Sequence, residues 1–294
     1  MTQVLPYPVK TVGVAGAGVM GREVAQVMAQ YGYRTILVDT SEQALEHARS
    51  AIERNLRFQR MTDPSAPVVD RAEVLERITF TTGYEGFTEA GFVVENVTED
   101  WDVKREVYDE IDILCPEHCV FAVNTSVIPI TKVGSATGRA DRVIGTHFMN
   151  PVSRKPTVEV IRGHHTADAT IDQTMVLLSS IGKEGILVND SPGFVSNRVL
   201  MLTVNEAVFL LQDQVASAEQ VDKIFKTCFG HTMGPLETAD LIGLDTVLRS
   251  IELLHESFSD SKYRPCPLLR RMVQAGLYGR KSGEGFYTYG PTAA

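Results

Sequence analysis

Short apolar runs alternate with helical stripes over the first two thirds of the chain, and the strands then disappear. Residues 10–15 are apolar and β-branched and break into glycine, which predicts a buried strand. From Val19 to Tyr31, Met20, Val24, Val27 and Met28 recur at helical spacing. Residues 34–39 predict the next strand, and Thr40 with Gln43 predicts a capping box opening a second helix. This is a βαβ unit, whose crossover is right-handed. Leu45, Ala48, Ile52 and Leu56 share one face of the second helix, and the two prolines of residues 62–69 predict a helix–helix turn. Further apolar strands are expected at residues 92–97, 120–123, 143–146, 158–161 and 186–188, with a helix over 171–181.

Past Asp190-Ser191-Pro192-Gly193 the period is helical, and Val199, Leu202, Glu206 and Phe209 fall in one long segment. The reading is an α/β domain over residues 1–189 and an all-helical domain over 190–294. Leu200, Leu202, Val208, Leu210 and Leu211 offer more apolar surface than one helix face can hide, so the helical domain is expected to build a homodimer.

A length of 294 residues suits two domains, and 44% hydrophobic with 22% charged residues is ordinary for a soluble globular chain. The formal net charge of −9 disfavours a nucleic-acid binder and docking on anionic membranes. Cys115, Cys119, Cys228 and Cys266 form no CxxC pair, and His164-His165 reads as a solvated turn, so no metal is expected. The start, Met1 to Pro6, has no basic or apolar leader pattern, and no apolar run approaches the ~18 residues of a membrane span. A cytoplasmic protein is expected.

Gly16-Ala17-Gly18-Val19-Met20-Gly21 lies between the first strand and first helix. Gly16 permits the tight turn, Gly18 lets backbone approach a pyrophosphate, and Gly21 lets the helix pack close to the sheet. Free N–H groups at the helix start favour that anion. Asp39 ends the second strand, placed to accept hydrogen bonds from the ribose hydroxyls of NAD. It would repel the 2′-phosphate of NADP, and Thr40-Ser41-Glu42 offers no cation to offset it.

Four polar residues, Ser126, His147, Glu159 and Asn197, follow the glycine turn, and together with that turn they point to hydride transfer at a hydroxyl carbon. Each alone reads as an ordinary turn, strand or helix residue; their joint spacing carries the signal. With Asn124-Thr125-Ser126, Gly145 to Pro151, Val158 to Ile161, Pro192 to Arg198, Met233-Gly234-Pro235 to Asp245 and Gly279 to Tyr287, the chain resembles the 3-hydroxyacyl-CoA dehydrogenase family over nearly its whole length. The resemblance implies a Rossmann-type doubly wound N-terminal domain followed by an all-helical C-terminal domain. It makes His147 the general base, an imidazole whose ordinary pKa of ~6.5 suits the task. It makes Glu159 the partner of the far ring nitrogen. Ser126 would bond the reacting oxygen, Asn197 would help hold the substrate oxygens, and Glu99, Lys104 and Asn124 would contact the cofactor. The expected reaction is NAD-dependent oxidation of a short 3-hydroxyacyl thioester, or its reverse.

Three positions depart from the family pattern. Val127 stands where relatives usually carry Ser or Thr, Met149 replaces a common Phe, and Ser153-Arg154-Lys155-Pro156-Thr157 replaces a mostly apolar stretch. Arg154 and Lys155 are expected at the substrate mouth, as a solvated basic turn or as partners of an anionic substrate group. That leaves CoA and acyl carrier protein both open as carriers. A dehydrogenase of the 6-phosphogluconate type and a crystallin-like structural protein are the competing readings. The first lacks the Ser–His–Glu–Asn set, and the second would not need it.

Overall fold

The computed structural model describes residues 9–62 and 67–290. The leader reading of Met1 to Pro6, and residues 63–66 of the proline-containing turn, lie outside the described residues. The chain divides into two compact units, Met1–Asp190 and Ser191–Ala294.

In the first unit the elements run β1 (Thr11–Ala15), α1 (Val19–Gln30), β2 (Arg34–Val38), α2 (Glu42–Thr62), α3 (Arg71–Glu76), β3 (Ile78–Thr81), β4 (Phe92–Glu95), α4 (Trp101–Leu114), β5 (Val120–Val123), α5 (Ile130–Gly134), β6 (Val143–Phe148), β7 (Thr157–Arg162), α6 (Asp168–Ser180) and β8 (Glu184–Asn189). They build one eight-stranded sheet in the order β3-β2-β1-β4-β5-β6-β7-β8. β1 to β6 run parallel, β7 is antiparallel to β6, and β8 is parallel to β7. This is the Rossmann-type doubly wound architecture. Strand order reverses between β1 and β4, and the crevice beyond their carboxyl ends is where such sheets bind ligands.

Burial explains the strands. Val12, Val14, Ile36, Leu37, Val93, Val94 and Phe121 are buried, as a parallel sheet covered by helices on both faces requires. Leu45, Ala48 and Ile52 of α2 join the same core.

Three local expectations need correction. β3 was not foreseen: Ile78-Thr79-Phe80-Thr81 is short and half polar, as an outermost strand can be. The cap of α2 is Ser41 rather than Thr40, its Oγ accepting the N–H of Ala44 at 3.2 Å. β4 ends at Glu95 rather than 97, whereas β6 runs on to Phe148 and carries His147 inside the strand.

The second unit contains α7 (Ser196–Gln212), α8 (Ala218–Cys228), α9 (Pro235–Ile242), α10 (Leu244–Phe258) and α11 (Pro267–Gln274). Met201, Val204, Ala207 and Val208 of α7 pack with Leu236, Val247, Ile251 and Leu254. The Gly279-to-Tyr287 segment docks on two buried carboxylates. Asp240 accepts the N–H groups of Phe286 and Tyr287 and the Tyr289 hydroxyl, each at 3.0 Å. Asp222 accepts the N–H groups of Leu236 and Glu237 at the start of α9 and the Tyr287 hydroxyl at 2.7 Å. Gly279, at φ +86°, lies against the Asp240 backbone, where a Cβ would clash. Among the described residues no helix is long and apolar enough to cross a membrane.

Candidate active site

Between β1 and α1 the chain must turn sharply. Gly16 does so at φ +89°, and a Cβ there would lie 2.8 Å from the Asn96 carbonyl oxygen. A Cβ at Gly21 would overlap the Gly16 carbonyl oxygen, whereas one at Gly18 would meet nothing within 4 Å. Gly18 is also the N-cap of α1 and has no side chain to satisfy the first N–H groups, which include those of Val19 and Met20. Open space in front of an uncapped helix start fits the pyrophosphate of a dinucleotide. Asp39, at the carboxyl end of β2, completes the cradle. Its Oδ2 accepts the Ala17 N–H at 2.8 Å and its Oδ1 the Ser41 N–H at 3.0 Å.

Glu99 and Lys104 flank the start of α4, which Asp100 caps by accepting the N–H groups of Asp102 and Val103. Lys104, which the resemblance sets against the cofactor, finds its main partner in Glu95. The Lys104 side chain is fully buried, and its Nζ donates to both oxygens of Glu95, at 2.7 and 2.9 Å. Its distance to Glu99 Oε2 is 3.8 Å. Glu99 Oε1 accepts the Ser126 N–H at 3.2 Å and the Thr125 hydroxyl. Asn124 is similarly occupied: its Nδ2 donates to Asn96 Oδ1 at 2.6 Å and its Oδ1 accepts the Phe148 N–H at 3.2 Å. Trp101 opens α4 with the Lys132 ammonium 4.2 Å from its ring centroid.

Ser126 leaves the carboxyl end of β5, while His147 and Glu159 are register partners across the antiparallel β6–β7 pair. Cross-strand partners project from the same face, so the imidazole and carboxylate meet. His147 Nδ1 lies 3.1 Å from Glu159 Oε2, and Nε2 lies 3.1 Å from Ser126 Oγ. An ionised carboxylate only accepts, so Nδ1 carries the proton toward Glu159, and in the neutral ring Nε2 is left to present a lone pair toward Ser126. Both His147 and Glu159 are buried. Asn197 is half-buried at the second position of α7, in the other unit.

The turn from β6 to β7 holds Arg154 and Lys155, whose side chains are exposed. Its backbone is pinned. The N–H groups of Arg154 and Lys155 both donate to the Pro151 carbonyl at 3.1 Å. The buried Lys183 ammonium donates to the carbonyls of Val152 at 2.5 Å and Lys155 at 2.7 Å, and Glu23 of α1 accepts the Val152 N–H. Sequence reasoning missed Glu95, Lys183 and Glu23. For Glu95 the signal was present: an acid closing a fully apolar strand, nine residues before a lysine.

Residues 11–191 match the family described as 3-hydroxyacyl-CoA dehydrogenase, NAD binding domain, and residues 193–289 match that enzyme's C-terminal domain family. A probable 3-hydroxybutyryl-CoA dehydrogenase of Deinococcus radiodurans is 45% identical over 94% of this chain and 99% of its own. The 3-hydroxybutyryl-CoA dehydrogenase of Clostridioides difficile is 40% identical over 94% and 98%. The crystal structure of (S)-3-hydroxybutyryl-CoA dehydrogenase from Ralstonia eutropha superposes with a TM-score of 0.91 at 40% identity, covering 97% of this chain and 100% of that one.

Proposed function

The chain belongs to the 3-hydroxyacyl-CoA dehydrogenase family, an NAD-dependent oxidoreductase by that membership, and we propose that its substrate is a short 3-hydroxyacyl thioester of the 3-hydroxybutyryl-CoA kind. The observation that carries this reading is the Ser126–His147–Glu159 line, with both ring nitrogens of His147 engaged at 3.1 Å. When bound, NAD supplies the hydride acceptor. The rest falls to this chain. His147 Nε2 removes the hydroxyl proton as the hydrogen on the same carbon departs as hydride. Glu159 fixes the ring tautomer and stabilises the positive charge the ring acquires. Ser126 donates to the reacting oxygen, and Asn197, by the family resemblance, serves the substrate oxygens.

For the cofactor we assign Gly16, Gly18, Val19, Met20 and Gly21 to the pyrophosphate and Asp39 to the adenosine ribose. Glu99, Lys104 and Asn124 serve the nicotinamide side. Arg154 and Lys155 follow the carboxyl end of β6, on the same sheet edge as the glycine turn and Ser126. They serve an anionic group of the substrate or its carrier. We further assign a cytoplasmic homodimer. Free thiols at Cys115, Cys119, Cys228 and Cys266 suit a reducing compartment. Of the leucines and valine expected to supply the contact, Val208 is buried in the helical core and Leu200, Leu202, Leu210 and Leu211 pack partly against it, so exposed Val199 on α7, and Ile224 with Phe229 at α8, are the apolar surface suited to a second copy.

The experiment is NADH oxidation followed by absorbance, with acetoacetyl-CoA, longer 3-oxoacyl-CoAs and the matching carrier-protein thioesters. Turnover of acetoacetyl-CoA is expected. Its absence alongside turnover of another thioester would move the substrate, and absence on all of them would overturn the reading. Sedimentation showing a monomer at micromolar concentration would remove the dimer.

A further inference from the structure

Glu95 is the last residue of β4 and the register partner of Ala15, the residue just before the glycine turn. Its side chain is 1% exposed and that of Lys104 is 0%, so two opposite charges face each other out of water. Every acceptor site on Glu95 that the structure describes is used. Oε1 takes the Val97 N–H at 2.7 Å and the Lys104 ammonium at 2.7 Å, and Oε2 takes the same ammonium at 2.9 Å and the Tyr108 hydroxyl at 3.2 Å. Burial pushes the Glu95 carboxyl above its ordinary pKa, and the Lys104 charge opposes that rise. Beyond Lys104, at 3.8 Å, stands Glu99, which orders the Ser126 turn through the Ser126 N–H and the Thr125 hydroxyl.

The groups therefore form a line of alternating charge, Glu95, Lys104, Glu99, ending at the turn that carries Ser126. A buried ammonium requires a counter-charge. With Glu95 in place, Lys104 is held by two hydrogen bonds on the β4 side and stands off Glu99. Without it, Glu99 is the carboxylate within reach, and its attraction for Lys104 would compete with its bonds to the Ser126 turn.

We propose that Glu95 is a positioning residue: it holds the fully buried Lys104 ammonium off Glu99 and so leaves Glu99 free to order the Ser126 turn. This rests on the reading of Glu99 and Ser126 given above.

The test is a double-mutant cycle with Glu95→Gln, Lys104→Met and the pair together. Each purified variant is checked for folding by thermal melting, then titrated with NADH by its fluorescence, and kcat is measured with acetoacetyl-CoA. Glu95→Gln should weaken NADH binding about ten- to a hundredfold, the range of one charge-assisted hydrogen bond. It should also lower kcat at saturating NADH. In the Lys104→Met background the same change should add almost nothing, because the ammonium it positions is gone. A wild-type NADH Kd in folded Glu95→Gln overturns the proposal, as do effects that multiply in the double variant. If Glu95→Gln does not fold, Glu95→Asp, which retracts the carboxylate by one methylene, is used in the same cycle with the same expected outcomes. A wild type that binds NADH but ignores acetoacetyl-CoA would sink the substrate reading alone, leaving the NADH titrations to decide the role of Glu95.

Discussion

Asp39 Oδ2 accepts the backbone N–H of Ala17 at 2.8 Å, so the carboxylate at the end of β2 is stitched directly to the glycine turn. The residue assigned to the cofactor ribose thus also fixes the loop assigned to the pyrophosphate. Replacing Asp39 by a small residue together with Thr40→Arg should move preference toward NADPH. Because the Ala17 tie is lost as well, NADH affinity should fall by more than the gain for NADPH. Steady-state kcat/KM with both cofactors measures this, and a wild type that prefers NADPH would refute the assignment.

His147→Gln should cut kcat by about 10²- to 10⁴-fold, the usual contribution of a general acid–base group. NADH affinity should stay near that of the wild type. Glu159→Gln should lower kcat less, since an amide can still accept from Nδ1 but cannot balance an imidazolium. Near-normal turnover in His147→Gln would remove the base assignment.

Arg154→Ala and Lys155→Ala should raise KM for the true substrate about ten- to a hundredfold, from loss of roughly 1.5–3 kcal/mol of charge-assisted hydrogen bonding. The change in kcat should be smaller, and KM for NADH should not move. A larger loss for carrier-protein thioesters than for CoA esters, deepened by salt in the wild type, would identify the carrier. Silence on every substrate would make the turn a solvated one.

Tyr289 supplies the pH prediction. Burial, and then its hydrogen bond to Asp240, push the phenol up to about 12. An unfolded tyrosine titrates near 10. Folding thus favours the neutral phenol, and that stabilisation is complete below about pH 10. It is lost as pH rises through about 12. The melting temperature of the wild type should fall over that window, and Tyr289→Phe should fall less steeply. Parallel curves would show that the Tyr289–Asp240 bond does not couple to folding.

The glycine turn was legible because strand, φ-positive turn and helix demand residue types that little else demands. The His147–Glu159 contact was implied by the family resemblance, but not its cause. The cause is that β7 runs antiparallel to β6, placing the two in register, and nothing in two six-residue strands declares strand direction. β3 escaped because Thr79 and Thr81 give it no strong apolar face. Glu95 shows as an acid closing an apolar strand, but its partner Lys104 comes from the next helix, a contact set by how α4 returns over β4. Lys183 and Glu23 escaped likewise: each meets the Pro151–Lys155 turn from a distant element.

Trp101 is the one tryptophan in the chain. It sits three residues before Lys104 on the first turn of α4, with the Lys132 cation over its ring. Ultraviolet emission excited at the indole band therefore comes from a single address on the carboxyl edge of the sheet. No engineered label is needed to watch that edge: a shift in emission colour, or transfer of its energy to reduced nicotinamide, reports on that neighbourhood without contribution from the helical unit.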